Sequence, residues 1–345
     1  MYAVAGPSLA LTKYWGKASG GINLPATPSI AVTLAELRAA TRVSLTDAGH
    51  GQYGSARWPD RVRPPDRVYL NGREQSPEPF EPLFDKIREL TGYTGGFEAR
   101  SVNNFPTAAG LASSAAGMAA LAAACDGALG SGLPLEELSA AARLGSGSAA
   151  RAIFGGFVRL DAGASFARPL FDSDHWPALR LLVVALESGP KPIGSRPAMV
   201  RTAETSPYYD AWLSDAGELT DRAEAALADR DLPTLGETMR MSYLRMFATM
   251  FSASPPIIYW KPQTLELISL LEELRRRGIP AWETMDAGPQ VKILLTEEHA
   301  NRVTAEITKR LPGATTTVCT VGRGARIVDP SELTEEERRH LEVKG

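Results

Sequence analysis

The sequence predicts an α+β protein built from two lobes, and three observations carry that expectation. The chain has 345 residues, more than one hydrophobic core usually accommodates. Its first half alternates short β-type runs with loops before turning helical. Its second half crosses a helical block and returns to strand, helix and strand, the order of a split β-α-β lobe. The division is expected near Ser188–Pro197, a segment with three prolines and two glycines, giving lobes 1–187 and 188–345.

The elements follow in order. Strands are expected at 29–34, 41–45 and 67–70, the last closed by the turn dipeptide Asn71-Gly72. Another strand, 96–102, leads into helices at 111–127 and 135–144, the first so rich in alanine that it suits close packing on a sheet. A glycine-serine turn at 145–149 precedes a strand at 156–160, and the continuous apolar run 179–186 reads as a buried strand. Helical patterns at 208–227, 235–251 and 263–277 are followed by strands at 281–285 and 291–295, a helix at 297–311 and strands at 315–321 and 325–328. The charged tail 331–345 is expected to form a surface helix.

Composition excludes several classes. The formal charge of −3 comes from interspersed signs, with no basic face for nucleic acid and no polybasic membrane patch. No charged-then-apolar leader opens the sequence and no apolar span is long enough to cross a bilayer, so a cytoplasmic location is expected. Cys125 and Cys319 lie far apart in apolar runs and are expected to be reduced core residues. The four histidines have no metal-ligand spacing.

The most informative segment is Asn103–Gly117, NNFPTAAGLASSAAG. Gly110 permits close backbone approach to a ligand, and Ser113 and Ser114 place two hydroxyls where a helix begins. Free N–H groups and the positive end of the helix dipole favour an anion there, phosphate above all. The same segment would also serve as a core helix with a serine cap. Four further clusters accompany it. Lys13-Tyr14-Trp15-Gly16-Lys17 sets two lysines around aromatics, and Ser146, Ser148 and Arg151 surround the second glycine turn. Ser195-Arg196 lies in the proline-rich segment, and Asp286-Ala287-Gly288-Pro289 puts one carboxylate on a tight turn after an apolar strand.

Together with Ile22–Pro25 and Ser29, Ala203–Ser206, Pro255-Pro256 and Tyr259-Trp260, these segments resemble the ATP-dependent mevalonate diphosphate decarboxylases. That family sits within the GHMP kinase superfamily, and the matching motifs span most of the chain in the family's order. The resemblance implies a ribosomal-protein-S5-like N-terminal lobe, a ferredoxin-like C-terminal lobe and a site in the cleft between them. It implies ATP and Mg²⁺ as cofactors and a 5-phosphorylated mevalonate as substrate. The 3-hydroxyl is phosphorylated, then phosphate and CO₂ leave.

Carried onto this chain, it makes Asp286 general base or orienter of the hydroxyl. Lys17 holds that carboxylate ionised and binds the substrate phosphate, while Arg151 grips the substrate carboxylate through its planar fork. Tyr14, Ser146, Ser148, Ser195 and Arg196 bind substrate; Asn103, Gly110, Leu111, Ala112, Ser113 and Ser114 bind ATP; Ser113 or Ser114 reaches Mg²⁺. Three places depart from the family pattern: Ser8 and the Thr27-Pro28 pair stand where Asn is usual, and Gln290 replaces the Asn after the aspartate turn. All three are expected to flank the substrate side. One or two phosphates on the substrate stay open, as does a kinase that stops at the 3-phosphate; a non-catalytic binding relative is the remaining alternative. A homodimer is compatible with the sequence, which shows no self-complementary patch.

Overall fold

The computed structural model describes residues 1–46, 63–105, 113–186 and 192–342. In chain order the first part runs β1 (Tyr2–Ala5), β2 (Ser8–Ala10), β3 (Ser29–Thr33), β4 (Ala39–Thr46), β5 (Arg67–Leu70) and β6 (Arg73–Gln75). It continues through α1 (Glu81–Thr91), β7 (Gly96–Asn103), α2 (Ser113–Leu129), α3 (Leu135–Gly145), α4 (Ala149–Ala152), β8 (Phe157–Leu160) and β9 (Arg168–Phe171). The second part holds β10 (Leu179–Ala185), α5 (Ser195–Thr205), α6 (Tyr209–Asp229), α7 (Leu232–Phe251), α8 (Pro262–Arg276), β11 (Trp282–Met285) and β12 (Val291–Thr296). It closes with α9 (Glu297–Arg310), β13 (Thr315–Cys319), β14 (Arg326–Ile327), a 3₁₀ turn at Pro330–Glu332, and α10 (Glu335–Leu341).

Among the described residues these strands form three sheets. The first, β14-β1-β4-β7-β5-β6, is covered by α2. Ala115, Ala116, Ala119, Ala120 and Ala122–Ala124 of that helix are all buried, because side chains this small let the helix axis lie close to the strands. A second sheet has the order β2-β3-β8-β9. The third has the order β11-β12-β10-β13 with every neighbour antiparallel. Counted along the chain that is the 4-1-3-2 order of a split β-α-β unit, as the sequence predicts. Leu181, Leu182 and Val184 of β10 are fully buried, which explains its unbroken apolar run.

Sheet membership departs from the expected division at residue 187 in two places. Strand β10 lies before that point yet pairs with β12 and β13 of the second lobe, and β14 returns late in the chain to pair with β1. Helix α10 also docks on the first lobe, where Glu337 accepts two hydrogen bonds from Arg38 at 2.7 and 2.6 Å and Leu341 is buried. Helix α5 begins inside the proline-rich segment that the sequence marks as loop. Pro197 sits in its first turn, where the missing N–H has no partner to lose. Cys125 and Cys319 are free and buried, as expected. No helix among the described residues is long and apolar enough to cross a membrane.

Candidate active site

A cavity of about 400 Å³ opens between the lobes. Ten sequence-predicted residues line it together: Tyr14, Lys17, Ser113, Ser114, Ser146, Ser148, Arg151, Ser195, Arg196 and Asp286. Asn103 does not line it; it ends β7, paired with Ala39 in the ladder. Gly110, Leu111 and Ala112 lie outside the described residues. Of the three departures from the family pattern, Ser8 lines the cavity. The Thr27 hydroxyl is buried and points at the Lys13 carbonyl, and the Pro28 carbonyl accepts from Thr220. Gln290 instead braces both backbone groups of Leu186.

Two glycines explain the motifs that build the walls. Gly16 has φ +108°, and a Cβ there would collide with the Tyr209 hydroxyl. Gly147, in the second glycine-serine turn, lies flat against the Tyr14 hydroxyl, leaving no room for a side chain. The turn therefore seats the Tyr14 ring, whose hydroxyl donates to the Asn23 carbonyl at 3.3 Å. Burial pushes the Tyr14 phenol up to about 12 against the opposing charges of Arg151, Arg143 and Arg196, so it remains a neutral donor. Beside it, hydroxyls run from the helix start to the turn: Ser114 to Ser146 at 3.2 Å and Ser146 to Ser148 at 3.4 Å.

The carboxylate at the centre has different partners from those the resemblance implies. Asp286, just past the end of β11, receives Lys13 Nζ on Oδ1 at 2.9 Å and Lys292 Nζ on Oδ2 at 3.0 Å. Lys17 does not contact it. Lys17 Nζ donates to Asn23 Oδ1 at 2.6 Å, and Asn23 is fixed by donating to the carbonyls of Arg143 and Leu144. The four-residue spacing of the lysines separates them because the chain is not helical here: it turns at Gly16, and Lys17 bridges to Pro25.

Burial alone would raise the Asp286 carboxyl, but the charges and hydrogen bonds of Lys13 and Lys292 hold it well below the usual carboxylate range. Burial brings the Lys13 ammonium down to about 8, with Asp286 pulling the other way. Lys13 also donates to the Ala10 carbonyl at 2.6 Å.

Arg151 is 1% exposed and donates through Nη1 to the Ser29 hydroxyl, while its buried Nε has no partner. Burial lowers it to about 10, with Asp286 and Tyr14 opposing. An orphaned guanidinium N–H at a cavity wall is a standing demand for an acceptor. Ser8 Oγ, buried on the same wall, is also unpartnered. The lining carries Lys13, Lys17, Arg151 and Arg196 against the single carboxylate Asp286, so the cavity selects anions although the chain as a whole is acidic.

Sequence reasoning missed Lys13 as the partner of Asp286 and missed Lys292 altogether. The available signal for Lys292 was a lone lysine within the apolar strand Val291–Leu295, where an unpaired charge is prohibitively costly.

No group of three or more His, Cys, Asp or Glu side chains that could hold a metal occurs among the described residues. The donor set near the helix start is hydroxyl, with Asp286 across the cavity. That suits Mg²⁺ carried largely by phosphate oxygens, the usual mode for this ion.

The model of a diphosphomevalonate decarboxylase-like N-terminal domain matches residues 5–171, and that of the mevalonate 5-diphosphate decarboxylase C-terminal domain matches residues 181–344. A diphosphomevalonate decarboxylase of Candida albicans is 32% identical over 320 residues, covering 86% of this chain and 84% of the relative. Among solved structures, mevalonate diphosphate decarboxylase from Staphylococcus aureus superposes with a TM-score of 0.85 at 34% identity, covering 95% of this chain and 97% of that one. MDDEF in complex with MVAPP, AMPPCP and magnesium gives 0.84 at 34% identity, with 95% and 98% covered. The two-lobed architecture is the GHMP kinase fold. With both halves matched in order and the motif residues gathered on one cavity, the chain belongs to the diphosphomevalonate decarboxylase family.

Proposed function

We infer that this chain catalyses the ATP-dependent decarboxylation of 5-diphosphomevalonate to isopentenyl diphosphate, CO₂, ADP and phosphate, as its family does. One observation carries the reading. An ionised carboxylate from the second lobe, Asp286, meets a first-lobe ammonium, Lys13, over a cationic cavity lined also by Arg151, whose Nε–H has no partner.

Each side chain has work suited to its chemistry. Asp286 accepts the hydrogen of the tertiary 3-hydroxyl and aligns its oxygen. Its low basicity is no obstacle, because in a loose phosphoryl-transfer transition state the nucleophile keeps its proton until late. Arg151 supplies its free Nε–H to the substrate carboxylate, and Lys17, Arg196, Tyr14, Ser148 and Ser195 receive the diphosphate. Ser113 and Ser114, at the start of α2, receive the nucleotide phosphates in this reading, and Ser146, 3.2 Å from Ser114, belongs to the substrate side. ATP with Mg²⁺ supplies the phosphoryl group that turns the 3-hydroxyl into a leaving group. As that group departs, positive charge develops at the tertiary carbon, and the fixed negative charge of Asp286 favours it. The residue roles, a homodimer and a cytoplasmic location are proposals; sedimentation and cell fractionation test the last two.

The test of the activity is an ADP-release assay on mevalonate, its 5-phosphate and its 5-diphosphate, with CO₂ measured in parallel. Equal amounts of ADP and CO₂ from the 5-diphosphate are expected. Preference for the monophosphate would change the substrate, and ADP without CO₂ would make the chain a 3-kinase.

A further inference from the structure

We propose that Lys292 is a positioning residue for the reaction: it clamps Asp286 from within the second lobe, fixing the orientation and the charge of that carboxylate. The inference rests on the decarboxylase reading above.

Lys292 lies on β12 between Val291 and Ile293, both buried, and its own side chain is 2% exposed. Taking an ammonium out of water is unfavourable unless a partner compensates. The register pairs Lys292 with Thr284 on β11, two residues before Asp286, so the lysine and the aspartate share one face of the β11–β12 hairpin. The ammonium reaches Oδ2 at 3.0 Å.

Lys13 takes the other oxygen, and the two lysines are not equivalent. Lys13 belongs to the segment after β2 in the first lobe, so its contact crosses the cleft. Lys292 belongs to the same hairpin as Asp286, so its contact does not cross the cleft. A carboxylate held through both oxygens cannot turn, and its remaining lone pairs are presented in one direction. The charged groups facing Asp286 are Lys13 from the post-β2 segment, Lys292 from β12 and, by longer-range charge, Arg151 from α4. Both lysines contribute to keeping its carboxyl below the ordinary range.

The test compares Lys292→Met, Lys292→Gln and Lys292→Arg in the full chain. Readouts are kcat for CO₂ release from 5-diphosphomevalonate, separate KM values for both substrates, and thermal unfolding. For Lys292→Met or Lys292→Gln, kcat should fall roughly 10- to 100-fold, the cost of a misplaced reacting group. KM for ATP should stay within about twofold, and Lys292→Arg, which keeps the charge, should recover most of the rate.

A folded neutral variant with wild-type kcat would overturn the clamp. So would a loss of rate that simply tracks loss of folding and that Lys292→Arg does not restore. If either neutral variant fails to fold, the other and Lys292→Arg still separate charge from structure. Wild type that releases no CO₂ defeats the decarboxylase reading instead, which keeps the two failures apart.

Discussion

Lys13 and Lys17 stand four residues apart and have different partners, one the Asp286 carboxylate and the other Asn23. Because Lys13 titrates near 8 in the folded protein, its charge against Asp286 is present below that pH and disappears above it. The rate should therefore fall on an alkaline limb near pH 8, and Lys13→Met should show a lower rate with that limb gone; a pH-rate profile checks both. On the proposed assignment of Lys17 to the substrate phosphate, Lys17→Ala should raise KM for 5-diphosphomevalonate about tenfold or more, with a smaller change in kcat. Steady-state kinetics separates the two parameters.

Much of the site is legible at this scale, because Asp286, Arg151 and the serines sit in short motifs whose glycines and turns leave few alternatives. The pairing of charges is not. Which lysine reaches Asp286 depends on the path through Gly16 and on a strand register that brings Lys292 beside the hairpin end, and neither is visible in local spacing.

Helix α7 connects the site to the core of the second lobe. Ser242 accepts the Lys13 backbone N–H at 2.9 Å, and its neighbour Tyr243 donates to Glu283 at 3.0 Å. Glu283 is fully buried and also takes Arg240 at 2.5 Å and Arg275 at 2.7 Å. Deleting that carboxylate takes a buried partner from two guanidinium groups and from the Tyr243 hydroxyl, so Glu283→Ala should cost about 3–5 kcal/mol of stability, read from urea unfolding.

Elements with strong patterns, such as the alanine-rich α2 and the apolar β10, are predicted within a few residues. Helices α1 and α5 escape notice because each opens with proline among loop-like residues, although proline is well tolerated in a first helical turn. The short strands β1, β2, β6 and β9 exist because of their neighbours in the sheets, not because of their own sequence.

Across the whole molecule, the aromatic segment around Trp15 straps the lobes together. Its indole donates to Thr202 of α5 at 2.9 Å, and Trp212 of α6 donates to its carbonyl at 2.9 Å. Trp15→Phe keeps one aromatic ring but removes the pyrrole ring with its buried N–H, leaving a small cavity and Thr202 to bond only within its helix. A loss of about 1 kcal/mol or more in thermal unfolding is expected. The two-lobed class follows from chain length and the late return to strands. The crossing of β10 and β14 between lobes does not, since long-range pairing leaves no mark on periodicity.

The central claim is that one ionised aspartate, presented by the second lobe to cations from both, carries the chemistry. CO₂ release from 5-diphosphomevalonate by Asp286→Asn, with ATP affinity measured on the same protein, tests it most directly. The account predicts a fall of roughly 10²- to 10⁴-fold in rate with ATP binding preserved. Near-normal CO₂ release from that variant would contradict it.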